Sequence, residues 1–235
     1  MASARLPFLL AFSLLPVFVA LWVHRDLTIQ RNEVSIPIRD QTLLGITVAV
    51  LSDFHIPESQ LDSARIDEML LDAKESQADL YLLLGDYVSG SPRAQSLPPI
   101  VREEVAQKLA NLPKDKVIAV LGNHESWTGK EAWAKAFKKV GVTTLENQVI
   151  NQRAGNREMC VRGIGDAFTS NHQMTLFPAT CDGKAQVTIT HDPAAAFELG
   201  LEGIVFAGQT RCGQISLPLL PQPWMPSRAP RSAPS

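Results

Sequence analysis

Val117-Ile118-Ala119-Val120-Leu121-Gly122-Asn123-His124-Glu125 is the stretch on which the fold turns. Five apolar residues in a row are what a strand buried on both faces needs, and the polar residues that follow sit where such a strand ends. The pattern recurs toward the N-terminus. Leu80-Tyr81-Leu82-Leu83-Leu84 runs into Gly85-Asp86, and Val48-Ala49-Val50-Leu51 runs into Ser52-Asp53-Phe54-His55. Between the runs, Ile66, Met69, Leu70 and Ala73, then Val101, Val105, Leu109 and Leu112, recur at helical spacing. Trp133, Phe137 and Val140 mark a third helix, with Gly141 placed as its C-terminal cap. Strand and helix alternating in this way predict an α/β sheet wound with crossover helices.

After Val142 the pattern changes. Thr143–Ile150, Met159–Ile164 and Val187–Thr190 read as strands joined by turns at Ala154-Gly155-Asn156 and Asp182-Gly183-Lys184. A short helix over Pro193–Leu199 and a strand over Ile204–Ala207 follow. Val187-Thr188-Ile189-Thr190 again ends in a potential ligand, His191, before Asp192.

In an open α/β sheet, ligands bind beyond the carboxyl ends of the strands. Those ends here carry Asp53, His55, Asp86, Asn123, His124 and His191. Carboxylate, imidazole and amide together suit divalent transition metals such as Mn, Fe or Zn. A carboxylate shared by two ions holds them at the spacing used for in-line displacement at phosphorus. Taken one at a time, each residue has an ordinary structural reading, such as a helix cap or a polar turn. Order and context together point to chemistry.

The ordered set Asp53-Phe54-His55, Gly85-Asp86, Gly122-Asn123-His124-Glu125 and His191 resembles the calcineurin-like metallophosphoesterases, over roughly Gly45 to Gln214. The membrane-anchored bacterial branch is the most similar. The resemblance implies a sandwich of two sheets flanked by helices, and two divalent metals that lower the pKa of a bound water. It implies that Asp53 and His55 hold the first metal, Asp86 bridges both, and Asn123 and His191 hold the second. His124 would stand by the phosphate, stabilising the transition state or protonating the leaving oxygen.

The chain departs from the family at the last motif, where Gly-His-x-His is expected. It has Gly208-Gln209-Thr210-Arg211, so Gln209 and Arg211 stand at two ligand positions. Gln offers only a carbonyl oxygen, and Arg cannot coordinate. The resemblance therefore implies a phosphoester hydrolase with weakened metal sites. The alternative is an inactive homologue that uses Arg211 to bind phosphate or phospholipid headgroups.

Outward from this domain, assigned to 43–217, the ends differ in character. Leu6 to Val23 is nearly all apolar, near the length needed to span a bilayer, with Trp22 placed as an interfacial anchor. No small-residue cleavage signal follows it. Residues 1–25 therefore read as a membrane anchor or signal segment, with the uncleaved anchor favoured and the domain expected outside the cytoplasm of a bacterial inner membrane. Residues 26–42 read as a linker and edge strand (Val34-Ile36-Ile38), and 218–235 as a disordered tail rich in Pro, Ser and Arg. The expected partners are the membrane and a lipid- or envelope-derived phosphoester. A formal net charge of -2 removes the basic surface that nucleic-acid binding requires. Cys160, Cys181 and Cys212 lack zinc or redox spacing and read as buried or free thiols, although Cys160 and Cys181 can pair outside the cytoplasm. Substrate choice is expected in the loops Ser89–Pro99 and Asp166–Thr180.

Overall fold

The computed structural model describes residues 43–58, 61, 64–90, 97–173, 186–198 and 203–209. The chain divides into Met1–Pro37 and Ile38–Ser235, and all described residues belong to the second unit. The apolar N-terminal stretch, the edge strand around Ile36, Arg211 and the Pro-rich tail lie outside the described residues. Among the described residues, no helix is long and apolar enough to cross a membrane.

Eight strands and four α-helices make up the described fold. In chain order they are β1 (Val48–Leu51), α1 (Ala64–Glu75), β2 (Leu80–Leu83), α2 (Pro99–Leu109), β3 (Val117–Ala119), α3 (Asn123–Val140), β4 (Thr143–Thr144), β5 (Gln148–Ala154), β6 (Arg157–Gly163), β7 (Gln186–Thr190), α4 (Pro193–Glu198) and β8 (Ile204–Ala207). The first sheet has the order β1-β2-β3-β4 and is parallel throughout. The second has the order β5-β6-β7-β8. Its β5–β6 pair is an antiparallel hairpin and its other pairs are parallel.

The period of two along β2 explains the layering. Leu80, Leu82 and Leu84 pack with Ile118, Val120, Met159, Val161, Val187 and Ile189, which closes the two sheets face to face. Tyr81 and Leu83 point the other way, into Ile66, Leu70, Val105, Leu109, Trp133 and Phe137 of the helices. All four residues of β2 are buried, so the continuous apolar run is the consequence of a strand covered on both sides. The α/β class and the two-sheet arrangement with helices agree with the expectation.

Two local expectations are corrected. Thr143–Ile150 is not one strand. Thr143–Thr144 pairs with β3 in the first sheet, whereas Gln148–Ala154 starts the second. The chain changes sheets at Asn147, which takes the left-handed conformation (φ 52°) and is tolerant of it. The third helix, marked in the sequence by Trp133, Phe137 and Val140, begins at Asn123. Glu125 at its third position accepts the N–H of Gly122 at 2.9 Å, the arrangement of a capping box. Gly129 (φ 106°, ψ 79°) breaks the helix within this stretch, and Gly141 (φ 83°) closes it in the left-handed cap expected. Cys160 is disulfide-bonded rather than a free thiol; both other cysteines lie outside the described residues.

Candidate metal centre

The loops after β1 and β2 remain laced together beyond the strands. Asp53 N–H donates to the Gly85 carbonyl (3.1 Å), His55 N–H to Asp86 (3.0 Å) and Ile56 N–H to Tyr87 (3.1 Å). This extension of the parallel ladder brings Asp53, His55 and Asp86 side by side. All three adopt left-handed backbone conformations, with φ of 57°, 43° and 56°. Non-glycine residues take that region at a cost, and such residues cluster at functional sites.

Glu125 braces the arrangement. Its buried carboxylate accepts N–H groups of Asp86 (2.8 Å), Tyr87 (2.9 Å) and Gly122 (2.9 Å), binding the β2 loop to the start of α3. Burial, and then the charge of Asp86, push its carboxyl up to about 7, against the pull of the backbone donors. Two glycines allow the approach. A Cβ on Gly122 would lie 2.3 Å from Asp86 Oδ1, and one on Gly85 would lie 2.6 Å from Gly122 N. The Gly122-Asn123-His124-Glu125 motif does not by itself give Glu125 a role. Its position at N3 was the available signal.

Asp86 is the centre of the site. Its Oδ1 accepts the His124 backbone N–H at 3.1 Å. Around Oδ2 lie His191 Nε2 at 3.3 Å, His55 Nε2 at 3.4 Å and His124 Nε2 at 3.7 Å. Among the described residues, two groups have ligand atoms mutually close enough for an ion, and both contain Asp86: His55, Asp86 and His124; and Asp53, Asp86 and His191. Asp53 also lies 3.6 Å from His55 Nε2. Asn123 is buried at the first position of α3.

Two imidazoles are held in opposite tautomers by the main chain. The fully buried His191 places Nδ1 2.7 Å from the Leu84 carbonyl, which can only accept, so Nδ1 carries the proton. Its Nε2 has no hydrogen-bond donor and turns a lone pair toward the Asp86 carboxylate. That pairing is stable only with a cation or a proton between the two. His124 is the reverse. Its Nδ1 accepts the Gly90 N–H at 2.7 Å, so in the neutral ring Nε2 carries hydrogen. In their neutral forms the two rings thus turn opposite nitrogen chemistry toward Asp86.

The charges follow from this. Burial alone would lower the His191 pKa, but Asp86, with Asp53 and Asp166, raises it to about 9. Burial would raise Asp53 and Asp86, yet both are held below the ordinary carboxylate value. For Asp53 the opposing partners are led by His55 and Ser52, and for Asp86 by His191. Burial raises Asp166 and Asp192. A mixed imidazole and carboxylate set around one shared carboxylate, including a buried lone pair facing it, fits a divalent transition-metal centre.

Gln209 reaches the site through its backbone. Its N–H donates to Asp53 Oδ2 at 3.0 Å, with φ at 59°. With its nitrogen turned inward, its side-chain amide donates to Asp192 at 3.2 Å. The residue therefore keeps the loop position while its side chain is engaged with a carboxylate beside the centre.

No curated protein matches the chain in sequence. A Staphylococcus aureus structure, assigned as a 5'-nucleotidase and in complex with alpha-ketoglutarate, aligns with 73% of this chain and 46% of its own, at 14% identity and a TM-score of 0.48. A 5'-nucleotidase precursor from Thermus thermophilus aligns with 74% of this chain and 43% of its own, at 17% identity and a TM-score of 0.49. A hypothetical protein from Thermus thermophilus aligns over 75% and 73% of the two chains, at 14% identity and a TM-score of 0.42. The chain spans less than half the length of the two nucleotidase chains. The sequence pattern of the calcineurin-like phosphoesterases matches residues 46–194, well over half of the chain and the whole region that carries Asp53, His55, Asp86, Asn123, His124 and His191. This chain belongs to the calcineurin-like phosphoesterase family.

Proposed function

We propose that this chain is a metal-dependent phosphoester hydrolase in which Asp53, His55, Asp86, Asn123 and His191 hold divalent ions and His124 donates a proton to the leaving oxygen. The observation that supports this most directly is the opposed pair of tautomers around Asp86. With its Nδ1 proton fixed on the Leu84 carbonyl, His191 turns toward Asp86 Oδ2 an Nε2 that takes either a proton or a metal, while the neutral His124 turns an N–H toward the same oxygen. When bound, divalent ions supply charge to the phosphoryl oxygens and make a water acidic enough to attack.

The chain's own residues do the rest. Asp86 offers Oδ2 to both candidate groups, while the His124 N–H occupies Oδ1 and keeps the carboxylate from turning. Gly90 holds the His124 ring so that its N–H faces inward. Gln209, engaged with Asp192, is a weak substitute for an imidazole, so we place this protein's metal affinity below that of a site with His there.

The reading extends to place. The apolar Leu6–Val23 segment supports attachment to a membrane. The disulfide at Cys160 supports an oxidising compartment outside the cytoplasm. On this reading the substrate is a phosphoester of the lipid surface or cell envelope.

The test is metal content and turnover of the full chain purified in detergent with Mn or Zn supplied, using a generic phosphodiester. Two ions and metal-dependent turnover are expected. A folded chain that takes up no metal overturns the hydrolase reading.

A further inference from the structure

Beyond the metal ligands, an aromatic ridge leads from the centre to solvent. The His124 ring contacts Trp127 (centroids 4.9 Å apart, planes at 42°), and Trp127 meets Phe168 edge-on at 6.0 Å. Phe168 is 46% exposed, unusual for so large an apolar ring beside a polar site.

The exposure is not the result of a slack loop. Asp166 Oδ2 accepts both the N–H (2.9 Å) and the hydroxyl (2.6 Å) of Thr169. Asn171 donates to Ser126 of α3 at 2.8 Å and to Thr169 at 2.8 Å. Asn147 accepts the Gly165 N–H at 3.1 Å and donates to the Asn171 carbonyl at 2.8 Å. A Cβ on Gly165 would fall 2.3 Å from the Asn171 oxygen, so the loop closes as tightly as a backbone allows. This network ties the loop to the helix that carries His124 and Trp127, and holds Phe168 in place.

Resting on the hydrolase reading above, we propose that Trp127 and Phe168 form a specificity subsite for a planar aromatic group esterified to the phosphate. The position supports it. The ridge starts at the ring of His124, the residue to which the hydrolase reading assigns the leaving oxygen, so a group esterified to that oxygen starts beside Trp127. A ring carried by that oxygen has two aromatic side chains beside it in turn, one partly buried and one half-exposed. Rings prefer offset or edge-on contact at this range of separation, a preference an alkyl chain does not satisfy. The residues are pre-positioned, so little ordering is required on binding.

The experiment compares phenylphosphonate, methylphosphonate and octylphosphonate as non-hydrolysable probes, titrated calorimetrically into the Mn-loaded full chain. Turnover of a generic diester is measured separately. Phenylphosphonate should bind roughly five- to tenfold more tightly than methylphosphonate, about the contribution of one aromatic pair. Phe168→Ala and Phe168→Leu should both remove most of that preference while leaving methylphosphonate affinity unchanged, and Trp127→Leu should remove the remainder. If Phe168→Leu keeps the preference, the site selects bulk rather than aromaticity and the inference falls. Stronger binding of octylphosphonate overturns it in favour of an acyl chain. Equal affinity for the phenyl and methyl probes overturns it while metal-dependent turnover leaves the hydrolase reading standing. Phenyl selectivity without turnover supports the subsite and counts against the hydrolase.

Discussion

The ends of the first sheet and the ends of the second meet at Asp86, but they are secured in different ways. After β1, β2 and β3, the loops are laced by successive backbone hydrogen bonds, held by the three-donor Glu125 carboxylate, and packed through Gly85 and Gly122 with no room for a side chain. After β7 and β8, the support among the described residues is of a different kind. His191 leans on the Leu84 carbonyl of the first sheet, and Gly208 N–H donates to the His191 carbonyl at 3.0 Å. Gln209 donates from its backbone to Asp53 and from its side chain to Asp192. The first side holds Asp53, His55 and Asp86 through its own backbone and the Glu125 carboxylate. The second leans on the first, and Gln209 lies there, engaged with Asp53 through its backbone N–H.

The largest effect should come from the residue on which both sides converge. Asp86→Asn keeps the size of the side chain but removes the shared anionic oxygen, and it should abolish both metal uptake and turnover in a folded protein. Retention of two ions by this variant would break the comparison at its centre.

Next is the brace. Glu125→Ala leaves three buried N–H donors without an acceptor, each costing roughly 1–3 kcal/mol. Thermal or urea unfolding should show a loss of at least about 3 kcal/mol, more than any single substitution after β8 produces. Glu125→Gln, which keeps one acceptor oxygen, should fall between the two. A loss below about 1 kcal/mol for the alanine variant would mean the first side is not held by Glu125.

The third prediction concerns His191, through which the second side leans on the first. Without metal, its folded pKa of about 9 lies above the ordinary 6.5. Its protonated form therefore stabilises the fold fully below pH 6.5, and this contribution is lost as pH rises through 9. Chelator-treated protein should lose on the order of 1–3 kcal/mol of stability over that interval. His191→Gln should flatten the profile, and saturating Mn should remove the decline in the parent chain. A flat profile in the metal-free parent would show that the second side holds no proton for the metal to displace.

The smallest effect is a gain. Gln209→His should tighten Mn binding by roughly tenfold, about 1.4 kcal/mol, if the altered position is what weakens the second side. Unchanged affinity would assign the weakness elsewhere on that side.

Much of this was legible in the chain before any coordinate was considered. β2 is covered by helices on one face and by the second sheet on the other, so its residues had to form an unbroken apolar run, and Leu80–Leu84 does. Gly141 announced the end of α3 because a left-handed cap favours glycine. The start of α3 was hidden because Gly122-Asn123-His124-Glu125 is polar and Gly129 interrupts the helical stripe. The break between β4 and β5 was hidden because Thr143, Thr144, Val149 and Ile150 are β-branched residues suited to a strand at both ends of the segment, and only pairing with β3 separates its first two residues.

Sequence by itself determined which residues stand at the strand ends, and so which side chains are available to hold a metal. The covalent chain sets that through local pattern: an apolar run of strand length, followed by the residues that emerge from it. Tertiary structure decided what each of those residues is able to do. His124 and His191 are the same amino acid, and a proton's position on each ring was settled by partners 34 and 107 residues away, Gly90 and Leu84. The placing of Trp127 against Phe168 and the joining of three backbone segments by Glu125 have the same origin. Hydrogen bonding and ring contact act over a few ångströms of space, and only the folded chain brings such distant positions that close.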